Sequence, residues 1–415
     1  MVPKMNHAVT LDMYQSAGAG VLALLLGMYL TRKVSFLKRF CIPAPVSGGL
    51  LISLLTLLLC SVWGIECDFD PTVKDICMML FFTSVGFQSD LKVLRRGGRP
   101  LLVMILLVAV LVAFQNLISV GIAAGLGMDP LFGMAAGSVP MCGGHGTAGG
   151  FSPLLEEMGL KGASSVTMAA ATFGLVAGSL LGGPLSDILI KRHSLAEKSP
   201  SDDVIRGIEA SEASPESRTK GKVSAEDSFR EYLTGACILF AAMAIGTGIG
   251  KLLAMTGIAF PTYFGSLLAA CLMRNLMDLR PGLLGEPVTK KIISTGDLCL
   301  QLFLGMAMAS LKLWELSSLA LPLCLILSSQ VAFMALYATF VAFPLLGKDY
   351  DSAVLVSGLC GFGLGATPNA MANMSAVCFK YRYAVKPFVI VPIIGAMFVD
   401  IINTGVITLF LNLIR

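Results

Sequence analysis

The sequence GGHGTA at residues 143–148 interrupts an apolar stretch in the first half of the chain, and GFGLGATP at residues 361–368 interrupts the matching stretch in the second half. Glycine-broken hydrophobic segments at corresponding positions of two halves are typical of the binding site in a secondary transporter. The backbone groups freed at such a break need partners inside the protein, because lipid offers none. The two breaks therefore predict a pair of re-entrant hairpins that share one ligand site.

The similarity between the halves extends beyond the glycine breaks. The matches align DICMMLF at residues 75–81 with DLCLQLF at 297–303, Pro45 with Pro261, and TFG at 172–174 with IIG at 393–395. Each match alone is weak, because apolar segments resemble one another by chance. Their shared order indicates an internal duplication, so we predict two structural repeats.

The composition predicts a polytopic membrane protein. Hydrophobic residues make up 55% of the 415 residues and charged residues 13%, whereas soluble domains carry about 25% charged residues. The 11 cysteines are scattered through apolar runs without the spacing of a metal site, as small buried side chains would be. The sequence also has no Walker loop and no HExxH motif. We therefore expect no enzymatic activity, no cofactor and no nucleic-acid partner.

Ten apolar runs approach the length of about 20 residues that a helix needs to cross a bilayer. They predict an all-α fold of ten transmembrane helices, with re-entrant hairpins at about residues 132–151 and 353–377, between the fourth and fifth helix of each half. The runs are 11–31, 43–64, 73–88, 101–125 and 165–190 in the first half, and 229–252, 260–273, 294–311, 319–344 and 387–414 in the second.

The positions of the basic residues predict the orientation in the membrane. Of the 30 Lys and Arg residues, 24 fall in the loops on one side of the predicted spans, which the positive-inside rule assigns to the cytoplasm. Both termini then lie outside. Because each half has an odd number of spans, the second half enters the membrane upside down relative to the first. Inverted repeats of this kind provide alternating access.

The predicted organisation has three parts. Residues 11–190 form the first inverted repeat, and residues 229–415 form the second. Residues 191–228, between them, are rich in Ser, Glu, Asp, Lys and Pro and poor in apolar residues. This composition is typical of a disordered segment, so we interpret it as a cytoplasmic tether between the repeats.

Short motifs along the chain carry a family resemblance. They are FFTSVGF at 81–87, QN at 115–116, DPLFG at 129–133, GS at 137–138, GGHGT at 143–147, ATFGLV at 171–176, GFGLGATP at 361–368 and NM at 373–374. Together they resemble the bacterial sodium/glutamate symporter (ESS) family, over essentially the whole chain outside the tether and the first residues. The resemblance implies Na⁺-coupled uptake of L-glutamate through the bacterial inner membrane, on a fold similar to that of the sodium/citrate carriers. It also implies a homodimer, in which a hairpin-bearing transport domain slides against a scaffold in an elevator-type movement.

The residues at and around the glycine breaks suit a dicarboxylate substrate. Buried carboxylates need hydrogen-bond donors, and a hairpin tip offers helix N-termini with free N–H groups, which glycines let a ligand approach. His145 is expected to orient other groups rather than to titrate. Gln115 and Asn116 either line the translocation path or bond across helices. The predicted substrate-binding residues are Ser138, Gly143, Gly144, His145, Gly146, Thr147, Gly363, Gly365, Ala366, Thr367, Asn369, Asn373, Gln115 and Asn116.

Asp400 lies deep in the last apolar run, where a carboxylate is costly and usually functional. It either ligates Na⁺, which prefers oxygen ligands, or pairs with the substrate ammonium, and we favour ion ligation. Asn403 and Thr404 follow about one turn later on the same helix, and Thr172 lies in the corresponding helix of the first repeat. We therefore predict a Na⁺ site formed by Asp400, Asn403, Thr404 and Thr172.

Other functions make different demands on the sequence. The alternative within the same class is a sodium symporter for another carboxylate, such as citrate or malate. A tricarboxylate would require a buried Arg at the hairpin tips, and neither break contains one. A membrane enzyme would need more converging titratable groups than Asp400 and His145, and a passive channel would not accumulate its solute. We therefore favour a Na⁺-coupled symporter of an acidic amino acid.

Overall fold

The computed structural model describes residues 7–89, 91–195, 225–277, 285–316 and 319–414. Helices dominate these residues, apart from strands β1 (His7–Leu11) and β2 (Ile65–Phe69), which pair in parallel with His7 opposite Ile65. Seven of the described helices are long and apolar enough to cross a bilayer. The structure thus agrees with the helical, polytopic membrane protein that the composition predicts.

The helices of the first half follow the predicted apolar runs. Their boundaries are α1 (Met13–Lys33), α2 (Ser35–Arg39), α3 (Ala44–Trp63), α4 (Thr72–Gln88), α5 (Leu91–Gly125), α6 (Pro130–Ala135), α7 (Ser138–Met141), α8 (Gly144–Glu157) and α9 (Ala163–Arg192). Gly98, with φ of +60°, bends α5 shortly before Pro100. The part of α5 that is long enough to cross a bilayer is therefore Gly98–Gly125.

The second half continues in the same pattern. Its helices are α10 (Ala225–Ala254), α11 (Phe264–Met277), α12 (Glu286–Ala309), α13 (Ala320–Tyr337), α14 (Phe343–Leu346), α15 (Tyr350–Leu364), α16 (Thr367–Lys380), α17 (Val385–Ile393) and α18 (Val399–Ile414). A 3₁₀ turn, Leu313–Leu316, follows α12. The π-helical turns Ala338–Ala342 and Ile394–Phe398 connect α13 to α14 and α17 to α18, so each pair runs as one helical segment.

The ten predicted spans each coincide with a helix, but the helices differ in length. Seven satisfy the length and hydropathy of a crossing helix. The other three are α4 with 17 residues, α11 with 14 residues, and the pair α17 and α18 with its π-helical turn. Because a straight crossing needs about 20 residues, the ten-span inverted topology stays a prediction.

Helix–break–helix units occupy both predicted hairpins. In the first unit, α6 and α7 lead to a break at Cys142 and Gly143, and α8 returns. In the second unit, α15 and α16 are separated by Gly365 and Ala366. The glycine-rich sequences therefore coincide with interruptions between helices, and the re-entrant course of the two units stays a prediction.

Both units begin slightly earlier than the sequence predicts, at Pro130 rather than residue 132 and at Tyr350 rather than residue 353. The reason is helix capping. The side chain of Asp129 accepts a hydrogen bond from the N–H of Leu131, and that of Asp349 accepts one from the N–H of Ser352. Such N-caps stabilise the first turn of a helix, so each helix starts at its Asp rather than at the first small residue.

The packing of the helices places the hairpins beside a separate wall. Helices α8, α15 and α16 pack against α9, whereas α4 packs against α11 and α12. The site described below lies between the hairpin breaks and the wall formed by α4 and α12. Most of the predicted tether falls at residues 196–224, which lie outside the described residues.

Candidate functional site

The two hairpin breaks meet at one cavity of about 340 Å³. Residues 142–147, which we name tip 1, and residues 365–368, which we name tip 2, both line it. The rest of the wall comes from the Cys41–Pro43 region, α4, α9, α12, α15, α18 and the π-helical turn before α18. The structure thus brings together two glycine-rich segments that are more than 200 residues apart in the sequence.

Tip 1 approaches tip 2 most closely at Gly144. This residue has φ of +59°, in the left-handed region that glycine adopts without steric cost. A Cβ atom here would lie 2.9 Å from the carbonyl oxygen of Gly365. Any other residue at position 144 would therefore strain tip 1 and press against tip 2.

Buried glutamine side chains hold the first arm of the second hairpin. Gln115, on α5, donates from Nε2 to the carbonyl oxygen of Gly363 over 2.8 Å. Gln330, on α13, donates from Nε2 to the carbonyl oxygen of Gln115, also over 2.8 Å. A Cβ at Gly363 would meet the side chains of Leu111 and Met334. Gln115 and Gly363 therefore lie behind tip 2, outside the cavity wall.

Asparagine side chains hold the returning helix of the second hairpin to α9. Asn369 donates from Nδ2 to the carbonyl oxygen of Leu175 over 2.7 Å, and Asn373 donates to that of Gly178 over 2.9 Å. Asn369 is fully buried and Asn373 almost so. Both amides therefore anchor α16 to α9 and do not line the cavity.

Ser138, Asn116 and Asn403 form a fully buried group that we name the Ser138 cluster. The N–H of Ser138 donates to Oδ1 of Asn116 over 2.9 Å, and Nδ2 of Asn403 donates to the carbonyl oxygen of Ser138 over 3.0 Å. Among the described residues, Oγ of Ser138, Oδ1 of Asn403 and Nδ2 of Asn116 find no hydrogen-bond partner. Buried polar atoms are normally bonded, so these three atoms distinguish the Ser138 cluster from the fully paired parts of the core.

His145 in tip 1 is tied to α9. Its Nε2 lies 3.0 Å from Oγ1 of Thr172, and that hydroxyl donates its proton to the carbonyl oxygen of Met168 over 2.9 Å. Since a threonine hydroxyl has one proton, Oγ1 acts as the acceptor and His145 as the donor at Nε2. The histidine thus orients tip 1 through Thr172, which does not line the cavity itself.

Asp400 lines the cavity, while its neighbours on α18 point to other partners. Asn403 reaches Ser138, as described above. Thr404 is fully buried, with Oγ1 3.5 Å from the hydroxyl of Tyr263. The first turn of α18 therefore links the cavity to the Ser138 cluster behind tip 1.

The predicted site residues divide into two sets. Those that line the cavity are Gly143, Gly144, His145, Gly146, Thr147, Gly365, Ala366, Thr367 and Asp400. Those that lie behind it are Ser138, Gln115, Asn116, Gly363, Asn369, Asn373, Asn403, Thr404 and Thr172. Sequence reasoning located the ligand-sized space but could not distinguish its wall from its support.

The comparisons with known proteins agree with the geometry. A family model described as sodium/glutamate symporter matches residues 9–383. The chain belongs to the sodium/glutamate symporter family. A sodium/glutamate symporter of Escherichia coli (strain K12) is 40% identical over 405 residues, which cover 97% of this chain and 98% of the relative. One from Haemophilus influenzae is 36% identical over 398 residues, covering 95% of this chain and 96% of the relative.

Among solved structures, a sodium proton antiporter from Methanocaldococcus jannaschii aligns over 97% of this chain and 98% of that one, with a TM-score of 0.40 and 13% sequence identity. The family assignment rests on the sequence comparisons. As a member of a symporter family, the chain is a membrane transporter and not an enzyme, as the sequence predicts.

The symporter cavity also contains residues that sequence reasoning missed. They are Gln88, Phe81, Phe82 and Val85 from α4, and Asp297, Leu300, Gln301 and Leu304 from α12. Asp297 carried a usable signal, because it is the one charged residue in the apolar run 292–311. The aromatic and aliphatic residues carried none, since apolar side chains fill every membrane helix. Among the described residues that line the cavity, none is Lys or Arg.

Proposed function

We propose that this symporter imports L-glutamate together with Na⁺ across the bacterial cytoplasmic membrane by alternating access. The observation that carries the proposal is the cavity of about 340 Å³ lined by tip 1, tip 2 and Asp400. It occurs in a chain whose relatives, at 36–40% identity over nearly full length, are sodium/glutamate symporters. An ion gradient drives such transport, so Na⁺ is the coupling ion and no cofactor is required.

The tips supply the donors for the two carboxylates of glutamate. Helices α8 and α16 begin at Gly144 and Thr367, and each has 14 residues. Their first N–H groups and positive dipole ends favour an anion. Gly143, Gly146 and Gly365 keep the backbone accessible beside them. The residues behind the tips then act by positioning this backbone rather than by touching the substrate.

The Na⁺ site of the proposal extends from the cavity into the Ser138 cluster. Asp400 supplies a carboxylate at the cavity wall, and Asn403, three residues later, bonds the carbonyl oxygen of Ser138. Oδ1 of Asn403 and Oγ of Ser138 both lack a partner among the described residues. A hard cation prefers such oxygen ligands. Thr404 and Thr172 support the site through their contacts with Tyr263 and His145.

The larger architecture of the proposal follows the sequence symmetry. Residues 11–190 and 229–415 form inverted repeats of five spans each, joined by a cytoplasmic tether at 191–228. Both termini lie outside. The hairpins and α9 belong to a moving transport domain of an elevator-type homodimer. Because Cys41 and Gln88 lie at the basic, cytoplasmic side of the chain, the cavity that they line opens inward.

Uptake into proteoliposomes tests the proposal. Purified protein is reconstituted, and labelled L-glutamate is offered with an inward Na⁺ gradient, or with a K⁺ or H⁺ gradient alone. Concentrative uptake that requires Na⁺ is the expected result. Accumulation of citrate or malate in place of glutamate would overturn the substrate, and flux without accumulation would overturn the coupling.

A further inference from the structure

Asp297 is a second carboxylate in the wall of the cavity. It lies on α12, and Asp400 lies on α18. Among the described residues that line the cavity, these two are the acidic side chains, and Lys and Arg do not occur. The wall therefore carries two carboxyl groups, and no Lys or Arg side chain among its described residues balances them.

The setting of Asp297 calls for a cationic partner. Charged residues are otherwise missing from the apolar sequence at 292–311, where a carboxylate facing lipid would be costly. Its carboxylate has no hydrogen bond or ion pair with another described residue. Asp297 is exposed where it lines the cavity. Its unpaired carboxylate is therefore free to bind a cationic group of a molecule that enters the cavity.

The proposed cargo contains two kinds of cation. Na⁺ needs several oxygen ligands, and Asn403, three residues after Asp400 on α18, has an Oδ1 without a partner among the described residues. An ammonium group needs acceptors for three N–H bonds. Asp297 has the amide oxygen of Gln301 one turn later, and Gln301 also lines the cavity. The two carboxylates therefore match the two cations, one each.

We propose that Asp297 binds the α-ammonium group of the substrate, with Gln301 as a further acceptor, and so distinguishes an amino dicarboxylate from a plain dicarboxylate. This inference rests on the proposed function. Tips 1 and 2 hold the carboxylates, and α12 forms another wall of the same cavity. A substrate anchored at the tips through its carboxylates directs its ammonium group toward that wall.

Glutarate provides the probe, because it is glutamate without the ammonium group. Binding of L-glutamate and of glutarate is measured by calorimetry on purified full-length protein in saturating Na⁺, for the unsubstituted chain and for Asp297→Asn. The substitution should weaken the Kd for L-glutamate by roughly 10- to 100-fold, as expected for loss of a charged hydrogen bond. The Kd for glutarate should stay unchanged or improve, since the negative charge repels a plain dicarboxylate.

Glu286→Gln is the matched control, because Glu286 also lies on α12 but does not line the cavity and pairs with Lys290 at the surface. It should leave both Kd values unchanged. Asp400→Asn tests the competing assignment. If Asp400→Asn removes the preference for glutamate over glutarate and Asp297→Asn keeps it, Asp400 is the ammonium partner and the inference is overturned.

Further outcomes also decide the inference. Equal weakening of glutamate and glutarate by Asp297→Asn overturns it, because a general distortion would then explain the loss. The inference is also overturned if Asp297→Asn binds glutamate as tightly as Glu286→Gln does, whether or not glutarate binds. If Asp297→Asn does not elute as a folded species, Asp297→Ser is compared in its place. Absence of Na⁺-dependent glutamate binding in the unsubstituted protein would instead reject the proposed function itself.

Discussion

The two hairpins occupy corresponding places in the sequence but are held in different ways. The first arm of the second hairpin is α15, a continuous helix of 15 residues, whereas that of the first hairpin is divided into α6 and α7. Asn116 and Asn403 bond the backbone of Ser138 next to that division, and Nδ2 of Asn116 and Oδ1 of Asn403 find no partner among the described residues. Around the second hairpin, amides donate to carbonyls and clamp the helices together. Oε1 of Gln115 and Oδ1 of Asn369 also lack a partner among the described residues, but only Asn403 shares a helix with the cavity-lining Asp400. We therefore expect the first hairpin to respond to Na⁺ and the second to maintain the shape of the site.

Substituting valine for Gly144 and for Gly363 should give the largest difference between the two hairpins. From sequence alone, both substitutions are expected to block transport. In the structure, Val at 144 would be strained at φ of +59° and would press on the Gly365 carbonyl. We expect Gly144→Val to reduce glutamate uptake by about 100-fold or more, because displacement of a binding group by about 1 Å is costly.

Gly363→Val is the matched variant in α15, the helix that leads to tip 2. Its Cβ would lie 2.8 Å from Cδ2 of Leu111 and 3.2 Å from Cε of Met334, both flexible ends of side chains. Overpacking of this kind costs about 1–3 kcal/mol of stability. The variant should therefore melt earlier but still bind glutamate in Na⁺. Equal loss of binding in both variants would refute the division between the two hairpins.

Asp400→Asn should have the next largest effect. The amide keeps one oxygen but loses the negative charge that we assign to Na⁺ ligation. The Na⁺ concentration for half-maximal uptake should rise by about 10-fold or more, since each tenfold corresponds to about 1.4 kcal/mol. Uptake into proteoliposomes at graded Na⁺ measures this shift, with thermal unfolding as the check on folding. Unchanged Na⁺ dependence would remove Asp400 from the ion site.

The substitutions Asn403→Leu and Asn373→Leu compare the side-chain hydrogen bonds that hold the two hairpins. Each substitution removes one side-chain hydrogen bond to a buried backbone carbonyl, that of Ser138 or that of Gly178, which contributes about 0.5–1.5 kcal/mol. Both variants should therefore lose similar stability in thermal unfolding. Asn403→Leu should in addition lower the apparent Na⁺ affinity several-fold, because it removes the spare oxygen beside Ser138. A similar loss of Na⁺ affinity in Asn373→Leu would show that the second hairpin also takes part in ion binding.

The comparison also shows what could be predicted from the sequence. The glycine-rich motifs located both interruptions between helices, because glycine at such density is unusual within an uninterrupted apolar helix. Asp400 was found in the same way, since a carboxylate deep in an apolar run is conspicuous. The ten apolar runs each overlap described helices. The two hairpin units begin slightly earlier than predicted, which the caps at Asp129 and Asp349 explain.

The sequence could not show which polar residues face the cavity and which lie behind it. Asn369, Asn373 and Gln115 have the same chemistry as ligand-binding amides, and their partners are carbonyls 194 to 248 residues away. The orientation of each helix about its own axis decides which side chains face the cavity. A membrane helix has apolar residues on most of its faces, so its hydrophobic periodicity predicts that orientation poorly. Phe81 and Phe82 were missed for the same reason, because their neighbours are equally apolar.

The smallest effect is expected at the contact between His145 and Thr172, which joins tip 1 to α9. Thr172→Val preserves the shape of the side chain but removes the acceptor for Nε2 of His145. A neutral hydrogen bond contributes about 1 kcal/mol, so the Kd for glutamate should weaken by about 3- to 10-fold, through looser orientation of tip 1. Thr234→Val is the control, because the Thr234 hydroxyl bonds within its own exposed helix. Calorimetry on both variants gives the comparison. If Thr172→Val binds glutamate as tightly as Thr234→Val, tip 1 keeps its orientation without the hydrogen bond to α9. The difference between the hairpins would then not depend on that contact.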